Sequence, residues 1–172
     1  PSQDEVVAAC IGGIQRLLSE GTPKRWLIAC GSYLIGKERI ILALAEFFDV
    51  KIYADDRKRA ILSLLEWPEL QKRLTADPKD TFLHIVSMAV LGKAKLSDYR
   101  GQFGGHFTHI LGIRPTGWSF SKNGSDQPGP SLQLPKMDST SGLWALPYSE
   151  HSSYAELGAF LRAVACRRVV PT

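Results

Sequence analysis

Cysteine is scarce in this chain and badly placed for cross-linking. Cys10, Cys30 and Cys166 are odd in number and have no paired spacing. That argues against a disulfide framework or a cysteine zinc knuckle, and for a reducing compartment. No uninterrupted apolar run approaches the roughly 20 residues needed to cross a bilayer. No signal-peptide pattern opens the chain, so no membrane partner is expected. Histidine is limited to His84, His106, His109 and His151, and no HxHxDH metal motif can be built from them. No internal repeat is visible. The phosphate-loop pattern GxxxxGK[ST] is also missing, because Lys37 is followed by Glu38 rather than Ser or Thr.

What is present is an ordinary globular composition. The 172 residues are 44% apolar, enough for one good core or for one domain and part of a second. The net charge of +4 permits a polyanionic partner without requiring one. The start at Pro1, without Met, and the abrupt stop after Pro171-Thr172 fit a piece of a longer chain.

The chain reads as α/β. Ser2 and Glu5 make a capping box for a helix running to about Ser19, closed by Gly21 with Pro23 beyond. Trp26 to Cys30 is a central strand. Ile40, Ile41, Leu44, Ala45, Phe47 and Phe48 repeat at helical spacing. Val50 to Tyr53 is a strand. Asp55 or Asp56 caps a basic helix from about Arg57 to Glu66, where Arg57, Lys58 and Arg59 read first as a solvated face. A short helix spans Glu69 to Leu74, a strand Phe82 to Val86, and a helix Lys95 to Arg100. His106 to Ile113 reads as a strand. His106 and His109 would then point to opposite faces and make a poor metal pair. Ser119 to Gly142, rich in Ser, Gly, Pro and Asp, reads as a mobile loop or insertion.

The organising stretch is Leu143 to Val170. Leu143 to Leu146 is a short strand ended by Pro147. Ser153 and Glu156 form a second capping box, and Tyr154, Leu157, Phe160, Leu161 and Val164 follow at helical spacing. Val169-Val170 reads as the next strand. His151 thus sits between a strand's carboxyl end and a helix start, where open α/β sheets bind ligands and helix amides attract anions. Three strand ends, at Cys30, Ile113 and Leu146, carry loops with Gly, basic or His residues. In a parallel sheet those loops gather at one edge.

Three motifs carry a resemblance. Tyr148-Ser149-Glu150-His151-Ser152-Ser153-Tyr154 resembles the signature of the DNA cross-link repair nucleases. These are the Artemis- and Apollo-like group in the β-CASP branch of the metallo-β-lactamase fold. Gly31-Ser32-Tyr33-Leu34-Ile35-Gly36-Lys37-Glu38 resembles a second family stretch, with Leu34 in place of the usual small polar residue. Arg114-Pro115-Thr116-Gly117-Trp118 matches a third. The similarity runs from Pro1-Ser2-Gln3 to Pro171-Thr172, weakest between Asp55 and Gln102 and after Trp118.

The resemblance implies a β-CASP domain over residues 1–118 with a mostly parallel sheet flanked by helices. It implies a flexible loop over 119–142, then a returning strand-helix-strand segment of the metallo-β-lactamase αββα fold over 143–172. It implies His151 as catalytic and metal-binding, with Ser152, Ser153, Ser32, Tyr33, Gly36 and Lys37 near the substrate phosphate. Arg114 is left as either a structural or a phosphate-facing cation. The expected activity is a 5′-to-3′ DNA exonuclease of interstrand cross-link repair. In the parent protein, zinc-bound hydroxide would attack the phosphodiester. The expected substrate is 5′-phosphorylated, single-stranded or cross-linked DNA, and the parent is expected to be a nuclear monomer. Most metal ligands would lie upstream of Pro1, so this piece alone is expected to be inactive. The alternatives are an Artemis-like endonuclease, an RNA-processing relative, a non-catalytic nucleic-acid-binding module, or a small nucleotide-binding domain using the Gly31 to Lys37 loop.

Overall fold

A computed structural model describes residues 1–20, 24–117, 131–164 and 168. The chain opens with α1 (Gln3–Ser19), then β1 (Trp26–Ser32), α2 (Glu38–Phe47), β2 (Ile52–Tyr53), α3 (Asp56–Leu62) and α4 (Pro68–Arg73). It continues through β3 (Leu74–Thr75), β4 (Leu83–Ser87), a 3-10 turn at Met88–Val90, α5 (Lys93–Gly101), β5 (His109–Pro115), β6 (Ser141–Leu146) and α6 (Tyr154–Ala163). The strands form one sheet in the order β3-β2-β4-β1-β5-β6, and every pairing between them is parallel.

The core explains the order. β1 is buried along its whole length because both of its faces are covered. Trp26, Ile28 and Cys30 point into one core, shared with α1 and α2, while Leu27 and Ala29 point into a second, shared with α5. The period-2 alternation of a strand thus divides one apolar run between two layers. The connection from β1 through α2 to β2 passes β4 on the first face. The connection from β4 through α5 to β5 passes β1 on the other. Opposite directions on opposite faces keep both crossovers right-handed.

Local chemistry set the elements where the sequence indicated. Ser2 and Glu5 form the capping box of α1, and Asp55 caps α3 by accepting from the Lys58 amide. α1 approaches the Trp144 ring of β6 closely because residue 13 is glycine. A Cβ there would come within 2.4 Å of the Trp144 ring.

Several boundaries differ from expectation. The strand predicted from His106 begins only at His109. Gly104 and Gly105 hold a left-handed turn, and His106 closes it by donating to the Phe103 carbonyl. His106 and His109 are therefore not partners on one strand. Instead, the first packs on Phe107 and the second on Trp26. α3 stops at Leu62, short of the expected Glu66, in turn bonds from Leu64 and Leu65 ahead of Pro68. β6 begins at Ser141, two residues inside the stretch expected as loop. Ser131 is already held there, donating to Ala145 and accepting from the Trp144 indole. The expected strand at Val169-Val170, the helix stop at Gly21 and Pro23, and Cys166 fall outside the described residues. Cys10 and Cys30 are free and buried. Among the described residues no helix is long and apolar enough to cross a membrane.

Candidate functional site

At the carboxyl edge of the sheet, neighbouring strands β1 and β5 send their chains in opposite directions. That divergence leaves a crevice. It is a cavity of about 340 Å³, lined by Tyr33, Lys37, Pro115, Thr116, Gly117, Ser149 and His151. The loops after β1, β5 and β6 thus meet at one edge, as the three motifs required. A wider cleft of about 1200 Å³ continues from it and shares Thr116, Gly117, Ser149 and His151. It adds Ser152, Ser153, Arg39 and Glu156.

His151 is exposed, and its amide donates to the Ser149 hydroxyl at 3.2 Å. The loop that carries it is tied down from three sides. Gln3, from the first turn of α1, donates to the Ser149 carbonyl at 2.7 Å. Gly117 approaches Ser149 so closely that a Cβ would sit 3.0 Å from its side chain. Glu150 reaches across to the start of α2, where both carboxylate oxygens lie 3.0 Å from the Lys37 amide. Lys37 is left-handed at φ 76°, follows Gly36 at φ 110°, and has no side-chain cap of its own. Glu150 supplies that cap from 113 residues away.

This arrangement changes what the first loop can offer. The Gly36 amide is taken by the Glu38 carboxylate at 2.6 Å, and the Lys37 amide by Glu150. Neither faces an incoming anion. The Lys37 side chain does line the cavity. Its ammonium sits 5.4 Å above the Tyr148 ring and 3.5 Å from the Tyr148 carbonyl. Burial, and secondly the Glu150 carboxylate, push the Tyr148 phenol well above its ordinary range, so it stays a neutral platform for the cation.

The other expected residues divide. Tyr33 borders the cavity beside His151. Ser152 and Ser153 lie in the adjoining cleft, where the Ser153 hydroxyl accepts from the Glu156 amide in the α6 capping box. Backbone and hydroxyl bonds from Ser153 hold the Glu156 carboxylate below its usual range. Ser32 is buried and faces the other side of the loop. Its hydroxyl donates toward the Gly36 carbonyl at 2.8 Å and accepts from Lys58 at 3.1 Å. Arg114 turns away from the cavity and donates to the Leu91 carbonyl. Of the basic run, Arg57 lines a cleft and makes no ion pair among the described residues. Lys58 pairs with Glu38, and Arg59 with Asp56.

Sequence reasoning missed the roles of Lys58 and Ser149. Glu150 stood there only as one position of the His151 motif. Its partner across the fold could not be read from local spacing. Metal-binding capacity is limited: among the described residues no group of three or more His, Cys, Asp or Glu is placed to hold an ion. A hydrolytic zinc site takes three protein ligands, so His151 is at most one donor to such a centre.

Comparison with known proteins gives a consistent picture. Residues 68–172 match the sequence profile of the family described as DNA repair metallo-beta-lactamase. The chain is 36% identical over 178 residues to DNA cross-link repair protein SNM1 of Arabidopsis thaliana, matching all of this chain and 35% of that protein. It is 31% identical over 172 residues to DNA cross-link repair 1A protein of Mus musculus, matching all of this chain and 16% of that protein. It is 23% identical over 146 residues to 5' exonuclease Apollo of Danio rerio, matching 85% of this chain and 21% of that protein. The chain therefore spans about a third or less of the length of these relatives.

Proposed function

Because this chain belongs to the DNA repair metallo-beta-lactamase family, we propose that it supplies the phosphate-facing part of a DNA nuclease acting in interstrand cross-link repair. The observation that carries this reading is the convergence of His151 and Lys37 on one cavity at the diverging ends of β1 and β5. A buried ammonium over an aromatic ring attracts a phosphate, and an exposed imidazole beside it can donate to metal or move a proton. Ser152, at the mouth of α6, extends the same surface.

The family binds divalent metal, and zinc is our proposal for the ion, with hydrolysis of a phosphodiester as the chemistry it serves. Among the described residues no group forms a complete metal centre. Their work is to bind and orient. Lys37 neutralises the phosphate, Glu150 and Gln3 hold the His151 loop against α1 and α2, and His151 faces the reacting group. The relative named as a 5' exonuclease favours exonuclease action over internal cutting, and a 5′-phosphorylated single strand is our proposal for the substrate. A nuclear, monomeric parent completes the proposal. So does the division into a β-CASP domain at 1–118, a connecting loop at 119–142 and a returning segment at 143–172. The unburied face of α6 supports a returning segment that packs elsewhere in the parent, whereas β6, Ser141–Leu146, belongs to the sheet itself.

The test is His151→Ala in the intact protein, assayed on 5′-phosphorylated single-stranded DNA. Turnover should fall at least about a hundredfold, the lower end for losing a proton-transferring or metal-donating group, while far-ultraviolet circular dichroism is unchanged. Near wild-type turnover at saturating metal would count against the assignment. Release of mononucleotides identifies the exonuclease, whereas internal fragments identify the endonuclease alternative.

A further inference from the structure

The loop after β1 carries three consecutive large apolar side chains in solvent. Tyr33 is 62% exposed, Leu34 59% and Ile35 58%. Such a patch marks a binding surface when the backbone beneath it is fixed. Here it is fixed. The Lys58 ammonium donates to the carbonyls of Tyr33 and Leu34 at 3.0 and 2.8 Å, and it reaches Ser32 and Glu38 at 3.1 and 3.0 Å. The polar groups of the loop are consumed inward, and its apolar side chains are left standing outward.

On the side of this loop away from His151 lies a second cavity of about 420 Å³, at the carboxyl ends of β1, β2 and β4. One side of it is apolar, from Ile61, Ile85, Val86 and Met88, and Arg57 stands among its lining residues together with Asp55 and Lys58. Tyr33 borders both cavities, so one side chain forms the partition between them. An apolar side repels a bare phosphate. It suits a flat ring with polar edges, and Arg57 suits the backbone charge that comes with one.

We infer that this second cavity receives the unstacked base of the nucleotide adjoining the phosphate held beside Lys37 and His151, with Tyr33 and Leu34 as its stacking wall. The inference rests on the nuclease reading above and assigns it a specificity: the end of the strand must be unpaired for its base to enter. Stacking on apolar and aromatic side chains tolerates any base, because every base presents a π face. The site therefore selects for single-strandedness rather than for sequence.

The test uses the intact protein and nuclease-resistant, 5′-phosphorylated single-stranded oligonucleotides, with or without bases at the first two positions, read by fluorescence anisotropy. Wild-type protein should bind the base-bearing strand about tenfold more tightly than the abasic one. Met88→Trp, which fills the cavity, and Leu34→Ser, which removes part of the wall, should each erase most of that difference without weakening abasic binding. If Met88→Trp does not fold, the exposed Leu34 position still reports. Equal affinity of wild type for both strands would overturn the inference and leave the nuclease reading standing. So would full discrimination in the variants. No binding of either strand would overturn both.

Discussion

At His84, rings from Tyr53, Tyr99, Phe103 and Phe107 surround one fully buried imidazole. The carbonyls of Pro78 and Thr81 can only accept, so Nε2 carries the hydrogen, and Nδ1 accepts from the Tyr99 hydroxyl at 3.0 Å. Burial pushes the imidazole down from 6.5 to about 4, although the two carbonyls pull the other way. The fold thus requires neutral His84. Above about pH 6.5 neither folded nor unfolded chain holds the extra proton, and stability is full. Between 6.5 and 4 the unfolded chain takes up a proton that the fold refuses, so stability falls as pH falls. The fall from 6.5 to about 4 corresponds to about 3 kcal/mol. Urea unfolding at pH 7 and pH 4.5 should show most of that loss, and His84→Gln should flatten it. A wild-type midpoint that does not move between these values would remove the account.

At the scale of elements, the Lys58–Glu38 pair joins α3 to the start of α2 and pins the β1 loop between them. Both side chains are nearly buried, 11% and 6% exposed, at 3.0 Å. A surface pair of this kind is worth little, but a buried one leaves an uncompensated charge when broken. Lys58→Met should therefore cost about 3–5 kcal/mol, and adding Glu38→Gln should restore much of it. Urea unfolding of the single and double variants measures the coupling, and a single-variant loss below about 1 kcal/mol would show the pair to be solvated. The same pair shows where sequence reading reached its limit. Periodicity located α1, α2, β1 and β4, because those elements bury residues at the spacing of their own geometry. The capping boxes at Ser2 and Ser153 were legible because both partners lie within three residues. Lys58 looked like one cation in a solvated run, since its four oxygen partners lie 20 to 26 residues away. The apolar spacing of α6 looked like a packed face, yet Tyr154, Leu157, Phe160 and Val164 are at least half exposed.

For the whole molecule, that helix decides how the chain behaves by itself. α1 and α2 each bury an apolar stripe in the core. α6 contributes no buried residue, and the loop before it is anchored at the buried Tyr148 and then held only by the bonds of Gln3 and Glu150. A ten-residue helix without tertiary packing is marginal in water, even with a good capping box, because nucleation costs more than a few turns return. The sheet has the opposite character, with two cores closing over β1. Local stability should therefore be split across the molecule. In hydrogen exchange on the isolated chain, amides of Trp26–Ser32 should open only with global unfolding. Those of Tyr154–Ala163 should exchange near the rate of an unstructured peptide. The isolated chain should also show no phosphodiesterase activity with added zinc, since its described residues place no three-ligand cluster around His151. Protection of α6 equal to that of β1, or metal-dependent cleavage by the chain alone, would mean that this sheet already contains everything the site needs.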